Sequence, residues 1–306
     1  DVYKRQVIKA DEITAVRGTQ EGMAHLGMAI LNPGDVVLLP DPGYPVFEAG
    51  SYLGGAEVYY YPLLRENNFL PVIEDIPEDV LNKTKYIVLS YPSNPVGASA
   101  PKEMYIRMIE YAKKYNFAII NDNAYSDIIF DGREGFSFLS LPGAKDVGVE
   151  FFSLSKSYNV TGLRISFCIG NKSIIDAFKL LRSQYDFGMS YPAQKAAIAA
   201  LRGPRDSVKA QCAEYQRRRD ALLNGLRKYG WNVPDSHGTM FVWLPVPEGY
   251  TSASFTEALM DKAGVIGTPG TAFGPLGEGY IRFALTKSAE ELAVIADVIG
   301  QSGVLS

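Results

Sequence analysis

A series of short, nearly continuous apolar runs constrains this 306-residue chain more than any other feature. VVLLP (36–40), KYIVLS (85–90), FAII (117–120), VEFFSLS (149–155) and RISFCIG (164–170) are runs of this kind. Strands buried on both faces read this way, whereas strands with one wet face alternate. Segments with apolar residues at helical spacing lie between them. TQEGMAHLGMAIL (19–31) carries Met23, Leu26 and Ile30 on one stripe; PKEMYIRMIEYAKKYN (101–116) carries Met104, Met108, Ile109 and Ala112 behind a proline at N1. This alternation predicts an α/β fold: a large domain with a mostly parallel sheet covered by helices on both faces.

The pattern turns helical from about 172 to 229 and changes again after Trp231. HGTMFVWLPV reads as a strand, SASFTEALMDKAG as a helix and GYIRFALT as a strand. SAEELAVIADVIGQ reads as a helix capped by Ser288, with Glu291 at N3. The expected organisation is a large domain over 7–200, a long connecting helix over 201–229 and a smaller C-terminal α+β domain over 230–306. Residues 1–6, DVYKRQ, run into a strand-like segment without a preceding helix and read as a foreign start.

With a net charge of −4, the chain has no basic excess to attract nucleic acid; its dense cluster, Arg217-Arg218-Arg219, reads as a solvated helix face. Two histidines and two cysteines, Cys168 and Cys212, show no metal-ligand spacing, so no metal site is expected. No run approaches the roughly 18 apolar residues of a membrane helix. The expected compartment is the cytoplasm.

In sheets of this kind, ligands bind beyond the carboxyl ends of the strands. Four such ends carry unusual residues. GTQEG (18–22) joins a strand to a helix N-terminus, where free N–H groups favour an anion. SYPSNPVG (90–97) sets Asn94 in a proline-flanked loop. NDNAYSD (121–127) brings Asp122 out of an apolar strand, with Tyr125 three residues later. SLSKSYNVTGLR (153–164) has two hydroxyls before Lys156 and Arg164 after it, a second anion site beside a lysine suited to Schiff-base chemistry. A phosphate cup, a lysine, a buried carboxylate, a donor and an aromatic face are together the requirements of pyridoxal phosphate.

At these residues the chain resembles the fold-type I pyridoxal-phosphate aminotransferases of class I and II, from about Val7 to the C-terminus. The motifs that carry the resemblance are S-x-S-K…G-x-R as SLSKSYNVTGLR, N-P-x-G as NPVG and D-x-A-Y as DNAY. The resemblance implies Lys156 as the Schiff-base lysine and proton-transfer base, and Asp122 as the partner of the pyridine nitrogen. It implies Tyr125 and Asn94 as donors to the ring oxygen, and Tyr44 as the aromatic that stacks on the ring. Thr19, Gln20, Ser153 and Arg164 would form the phosphate cup, and Arg282, in GEGYIRFAL, would grip the substrate carboxylate together with Asn94. The implied reaction moves an amino group from an amino acid to a 2-oxo acid. The implied assembly is a homodimer with shared active sites, Tyr191 lying where partner contacts occur. His25 and His237 receive no role. DPGYPVFEAG, ENNFLP and SYPSNPVGA look most like the LL-diaminopimelate aminotransferases and their alanine- or methionine-directed relatives.

Two departures stand out. Val96 replaces the family's usual threonine in NPVG, and the N-terminal segment that family members carry is not matched, so the chain reads as N-terminally truncated. Three alternatives stay open at this point: a C–S β-lyase using the same cofactor, a non-catalytic sensor domain, and a fragment with impaired cofactor binding.

Overall fold

The apolar runs assemble as the pattern predicts. The computed structural model describes residues 8–186 and 188–305; the expectation for residues 1–6 falls outside them. Seven described strands form the main sheet: β1 (Ile13–Val16), β2 (Val36–Asp41), β3 (Glu57–Pro62), β4 (Thr84–Ser90), β5 (Ala118–Asp122), β6 (Gly148–Ser153) and β7 (Ser166–Gly170). Their order is β1-β7-β6-β5-β4-β2-β3. Strands β3, β2, β4, β5 and β6 pair in parallel, while β7 pairs antiparallel with both β6 and β1. The reversal of β7 has a local cause. The connection from β6 carries Lys156 and Arg164 and stays at one edge of the sheet, so the chain re-enters from the end it left. Parallel pairing would have needed a crossover.

Eleven described helices surround the two sheets: α1 (Thr19–Ile30), α2 (Val46–Gly54), α3 (Glu78–Leu81), α4 (Lys102–Tyr115), α5 (Ala144–Val147), α6 (Leu154–Ser157), α7 (Lys172–Tyr185), α8 (Tyr191–Arg202), α9 (Asp206–Lys228), α10 (Ser252–Ala263) and α11 (Ala289–Gln301). Alternate residues of each central strand point to opposite covers. Val37, Leu39, Val88 and Ile120 pack with Met23 and Leu26 of α1 and Ile175 and Phe178 of α7. Leu38, Ile87, Leu89 and Ile119 pack with Met104, Tyr105, Met108 and Ile109 of α4. Each such side chain, fully buried, contributes about 1.5–3 kcal/mol, which is why these runs lack polar interruptions. The stripe expected on α4 is the buried one, although Pro101 sits at the N-cap, one position ahead of N1. Helices α1 and α2 meet at Gly27, where a Cβ would lie 2.0 Å from the Gly50 carbonyl oxygen.

The second sheet contains β8 (Phe241–Pro245), β9 (Thr268–Pro269) and β10 (Tyr280–Ala284), in the order β8-β10-β9. It shares an apolar cluster with α9, α10 and α11. The Ser288–Glu291 capping box is formed as expected. The arginine cluster on α9 is only partly a solvated face. Arg217 and Arg218 pair with Glu214 at the surface, but Arg219 is buried, bonded to both oxygens of Asp131 and to the Ser236 carbonyl. A helix pattern alone does not show that the loop after β5 and the segment before β8 close over that position. Among the described residues no helix is long and apolar enough to cross a membrane.

Candidate active site

Because β6 and β7 turn at one edge, every expected cofactor residue reaches the same end of the main sheet. A cavity of about 180 Å³ there is lined by Thr19, Gln20, Tyr44, Asn94, Asp122, Tyr125, Ser153, Lys156 and Arg164, joined by Gly18, Ala124, Ser155 and Thr161. These residues come from five strand ends, so only the folded sheet brings them together.

One wall is built for an anion. Helix α1 begins at Thr19, and Gly18 before it has φ +98°, in the region that favours glycine. Arg164 lies against this glycine: a Cβ on Gly18 would come within 2.1 Å of Nη2. The guanidinium donates to the carbonyls of Thr161 (3.1 Å) and Arg17 (3.4 Å), which holds it beside the helix N-terminus. Free N–H groups, the helix dipole and a guanidinium are a phosphate donor set. The two serines of the motif differ. The Ser153 hydroxyl is already engaged, accepting from the Ser155 N–H and from the Ser166 hydroxyl, both at 3.2 Å. The Ser155 hydroxyl is buried with no partner. It adds a second hydroxyl for a ligand beside that of Ser153, whose own O–H is not used in the two bonds it accepts.

Asp122 ends β5 and is buried; its Oδ1 accepts from the Ala124 N–H at 3.2 Å. Burial pushes its pKa up to about 6; the Ala124 bond and the Lys156 ammonium pull the other way, and the charge of Glu150 adds to the rise. Lys156, on the short helix α6, stands 5.9 Å from the Tyr125 ring centre. Its pKa is lowered, first by burial and then by Arg164, against the pull of Asp122. Its carbonyl oxygen accepts from Gln211 Nε2 of α9 at 2.6 Å, a contact that links the lysine turn to the connecting helix. Tyr125 is buried, and burial, followed by the charge of Asp122, raises the pKa of its hydroxyl.

The small sheet supplies the remaining cation. Arg282 of β10 donates from Nη1 to Asn94 Oδ1 at 2.9 Å, and its guanidinium lies 4.0 Å from the Phe241 ring centre and 4.4 Å from that of Phe273. Its Nε is buried without a partner, and burial lowers its pKa. Among the described residues no carboxylate pairs with it. The two phenylalanines, 41 and 9 residues away in sequence, were not expected; nothing in their local pattern sets them apart from core aromatics.

The residues without expected roles lie elsewhere. His25 contacts the Tyr185 hydroxyl at 3.0 Å, and the carbonyl of His237 accepts from the Phe130 N–H. Tyr191 starts α8, is 67% exposed and does not line the cavity.

The cavity's chemistry fits pyridoxal phosphate. An anion cup with an orphaned hydroxyl, a buried carboxylate with no ion-pair partner among the described residues, and a lysine of lowered pKa line one cavity.

Comparison with known proteins agrees. Residues 2–299 match the family described as aminotransferase class I and II. An LL-diaminopimelate aminotransferase of Dehalococcoides mccartyi is 50% identical over 281 residues, covering 92% of this chain and 72% of that protein. One from Aquifex aeolicus is 43% identical over 303 residues, covering 98% and 78%. Among solved structures, apo-BacF of Bacillus subtilis superposes with a TM-score of 0.94 at 36% identity, covering 98% of this chain and 81% of that one. A probable N-succinyldiaminopimelate aminotransferase of Thermus thermophilus superposes with a TM-score of 0.90 at 33% identity, covering 95% and 78%.

Proposed function

The chain belongs to the class I and II aminotransferases, pyridoxal-phosphate-dependent enzymes that act on amino and 2-oxo acids, and on that premise we propose roles for its site residues. The observation that carries the assignment is the convergence of Lys156, Asp122, Arg164 and the unpartnered Ser155 hydroxyl on one cavity.

When bound, pyridoxal phosphate supplies an aldehyde that takes the substrate's amine and a ring that withdraws the negative charge developing at Cα. Everything else falls to the protein. Arg164, Ser153, Ser155, Thr19, Gln20 and the α1 N-terminus hold the phosphate. Asp122 holds a proton on the ring nitrogen, and Asn94 and Tyr125 donate to the ring oxygen. Tyr44 covers the ring face. Arg282 binds the substrate α-carboxylate. Its two aromatic neighbours exclude water from the guanidinium, and its unpartnered Nε is available to the substrate while Nη1 stays on Asn94. Lys156 removes the proton from Cα. Its lowered pKa raises the fraction of neutral amine available as base.

We propose LL-diaminopimelate as the first amino donor to test, because relatives 42–50% identical carry that name. The same reading includes a small domain from residue 230 that carries Arg282, joined by a connecting helix to a large domain ending near residue 200. It also includes a homodimer, supported by the exposed apolar side chains Leu180, Tyr185, Tyr191, Ile198 and Leu201 on α7 and α8. A C–S lyase would use the same residues, but the Dehalococcoides mccartyi and Aquifex aeolicus relatives and the Thermus thermophilus structure are named aminotransferases, which favours transfer over elimination.

The test is spectroscopic. With pyridoxal phosphate added, the protein should show a visible band near 400 nm or a little above (on the order expected for a lysine-bound cofactor). Borohydride should fix the cofactor mass to the peptide containing Lys156. Lys156→Ala should show neither. A fixed mass on another lysine would defeat the assignment.

A further inference from the structure

Across the main sheet from Asp122 lies a second carboxylate that the reaction does not call for. Glu150 is on β6, wholly buried, in register with Asn121 of β5; the next pair in that register is Asp122 with Phe151. Its Oε2 accepts from Asn121 Nδ2 and from the Phe138 N–H, both at 2.9 Å. Its Oε1 accepts from Asn123 Nδ2 at 3.1 Å, and the Ser137 side chain is also hydrogen-bonded to the carboxylate. Among the described residues no lysine or arginine pairs with it. The titratable groups that sense it are Asp122 and Tyr105, whose hydroxyl bonds Asn121 Oδ1 at 3.1 Å.

Burial raises the Glu150 pKa, and the donors converging on both oxygens oppose that rise by favouring the ionised form. The usual remedy for a buried anion is a cation, and here neutral dipoles take that place. The network also braces the functional loop. Asn123, clamped by Glu150 and by the Phe136 carbonyl (3.0 Å), is the residue between Asp122 and the Ala124 N–H that Asp122 accepts. The charge of Glu150 therefore adds to the proton affinity of Asp122 in a water-poor site, and among the described residues neither carboxylate forms an ion pair. A protonated ring nitrogen arriving at Asp122 supplies the missing positive charge.

We propose that Glu150 is a positioning residue for the ring-nitrogen end of the site: its fixed charge, acting through Asp122 and the Asn123 clamp, selects the protonated ring over a neutral one. The inference rests on the reading that this cavity holds pyridoxal phosphate. It assigns the selection to two carboxylates rather than to Asp122 alone.

The test compares binding of pyridoxamine 5′-phosphate with binding of its carbocyclic analogue, which has C–H in place of the ring nitrogen and so cannot take up that proton. At an effective dielectric near 20, one charge about 10 Å away alters an ion's affinity by roughly tenfold. Glu150→Gln should therefore weaken pyridoxamine phosphate about tenfold and leave the analogue within about twofold. Equal losses for both ligands would make Glu150 a purely structural brace, and no loss for either would deny it any part; both results overturn the proposal. Failure of the unaltered protein to bind pyridoxamine phosphate would overturn the cofactor reading itself, and this inference with it. If Glu150→Gln does not fold, Asn121→Asp/Glu150→Gln moves the charge one strand over, with the new amide donating to the new carboxylate. That double variant should keep the unaltered protein's preference for pyridoxamine phosphate over the analogue, and loss of the preference would overturn the proposal.

Discussion

Replacing Asp122 by asparagine should stabilise the cofactor-free protein at alkaline pH and lose that advantage in acid. Asp122 titrates near 3.8 when unperturbed and at about 6 in the fold, chiefly because burial removes its water. A carboxyl whose pKa rises on folding binds its proton more tightly in the native state. Its contribution therefore favours folding below the unfolded value near 3.8 and is lost as the pH climbs through about 6. A shift of about 2 units at 1.36 kcal/mol each amounts to about 3 kcal/mol of stability missing at pH 8. The amide has no charge to desolvate, but its own unfilled hydrogen bonds cost about 1–2 kcal/mol at any pH. Asp122→Asn should thus gain about 1–2 kcal/mol at pH 8 and lose a similar amount near pH 4, a swing of about 3 kcal/mol. Guanidinium unfolding of both cofactor-free proteins at the two pH values measures it. A difference constant to within about 0.5 kcal/mol across the range would refute the argument that Asp122 is held against the cost of burying its charge.

Three further outcomes follow from the site. Arg164→Gln removes the cation that, after burial, lowers the Lys156 pKa, so that pKa should rise. The pH dependence of the rate at which the cofactor-free protein takes up pyridoxal phosphate reads this, and an unmoved profile would contradict it. Arg282→Gln leaves the substrate carboxylate without its charged donor pair and should lower kcat/KM for amino donors by about 10²–10³, while the cofactor's visible band is retained. Gly18→Ala forces a Cβ to within 2.1 Å of Arg164 Nη2 at φ +98°. It should weaken cofactor binding and destabilise the cofactor-free protein by about 1–2 kcal/mol, both measurable by titration and thermal unfolding.

The α/β architecture was legible because continuous apolar runs, split by helical stripes, leave few alternatives to a two-face-covered sheet. The cofactor residues were legible because each follows such a run and so must lie at a strand's carboxyl end. Periodicity and local motif thus determined which segments form the sheet and which side chains sit at its functional edge. Tertiary structure decided the direction of β7, set by a connection that never crosses the sheet. It left the Ser155 hydroxyl buried without a partner, while Ser166 from the neighbouring strand donates to Ser153. It turned Arg219 from a surface charge into a buried one, through Asp131 some 88 positions away. It also put Phe241 and Phe273 against Arg282 and set the charge of Glu150 across the sheet from Asp122. In each of these cases the partner that fixes a group's charge, solvation or hydrogen bonding comes from a distant segment. Sequence spacing records which face a residue points to, whereas its electrostatic surroundings exist only after those segments have packed.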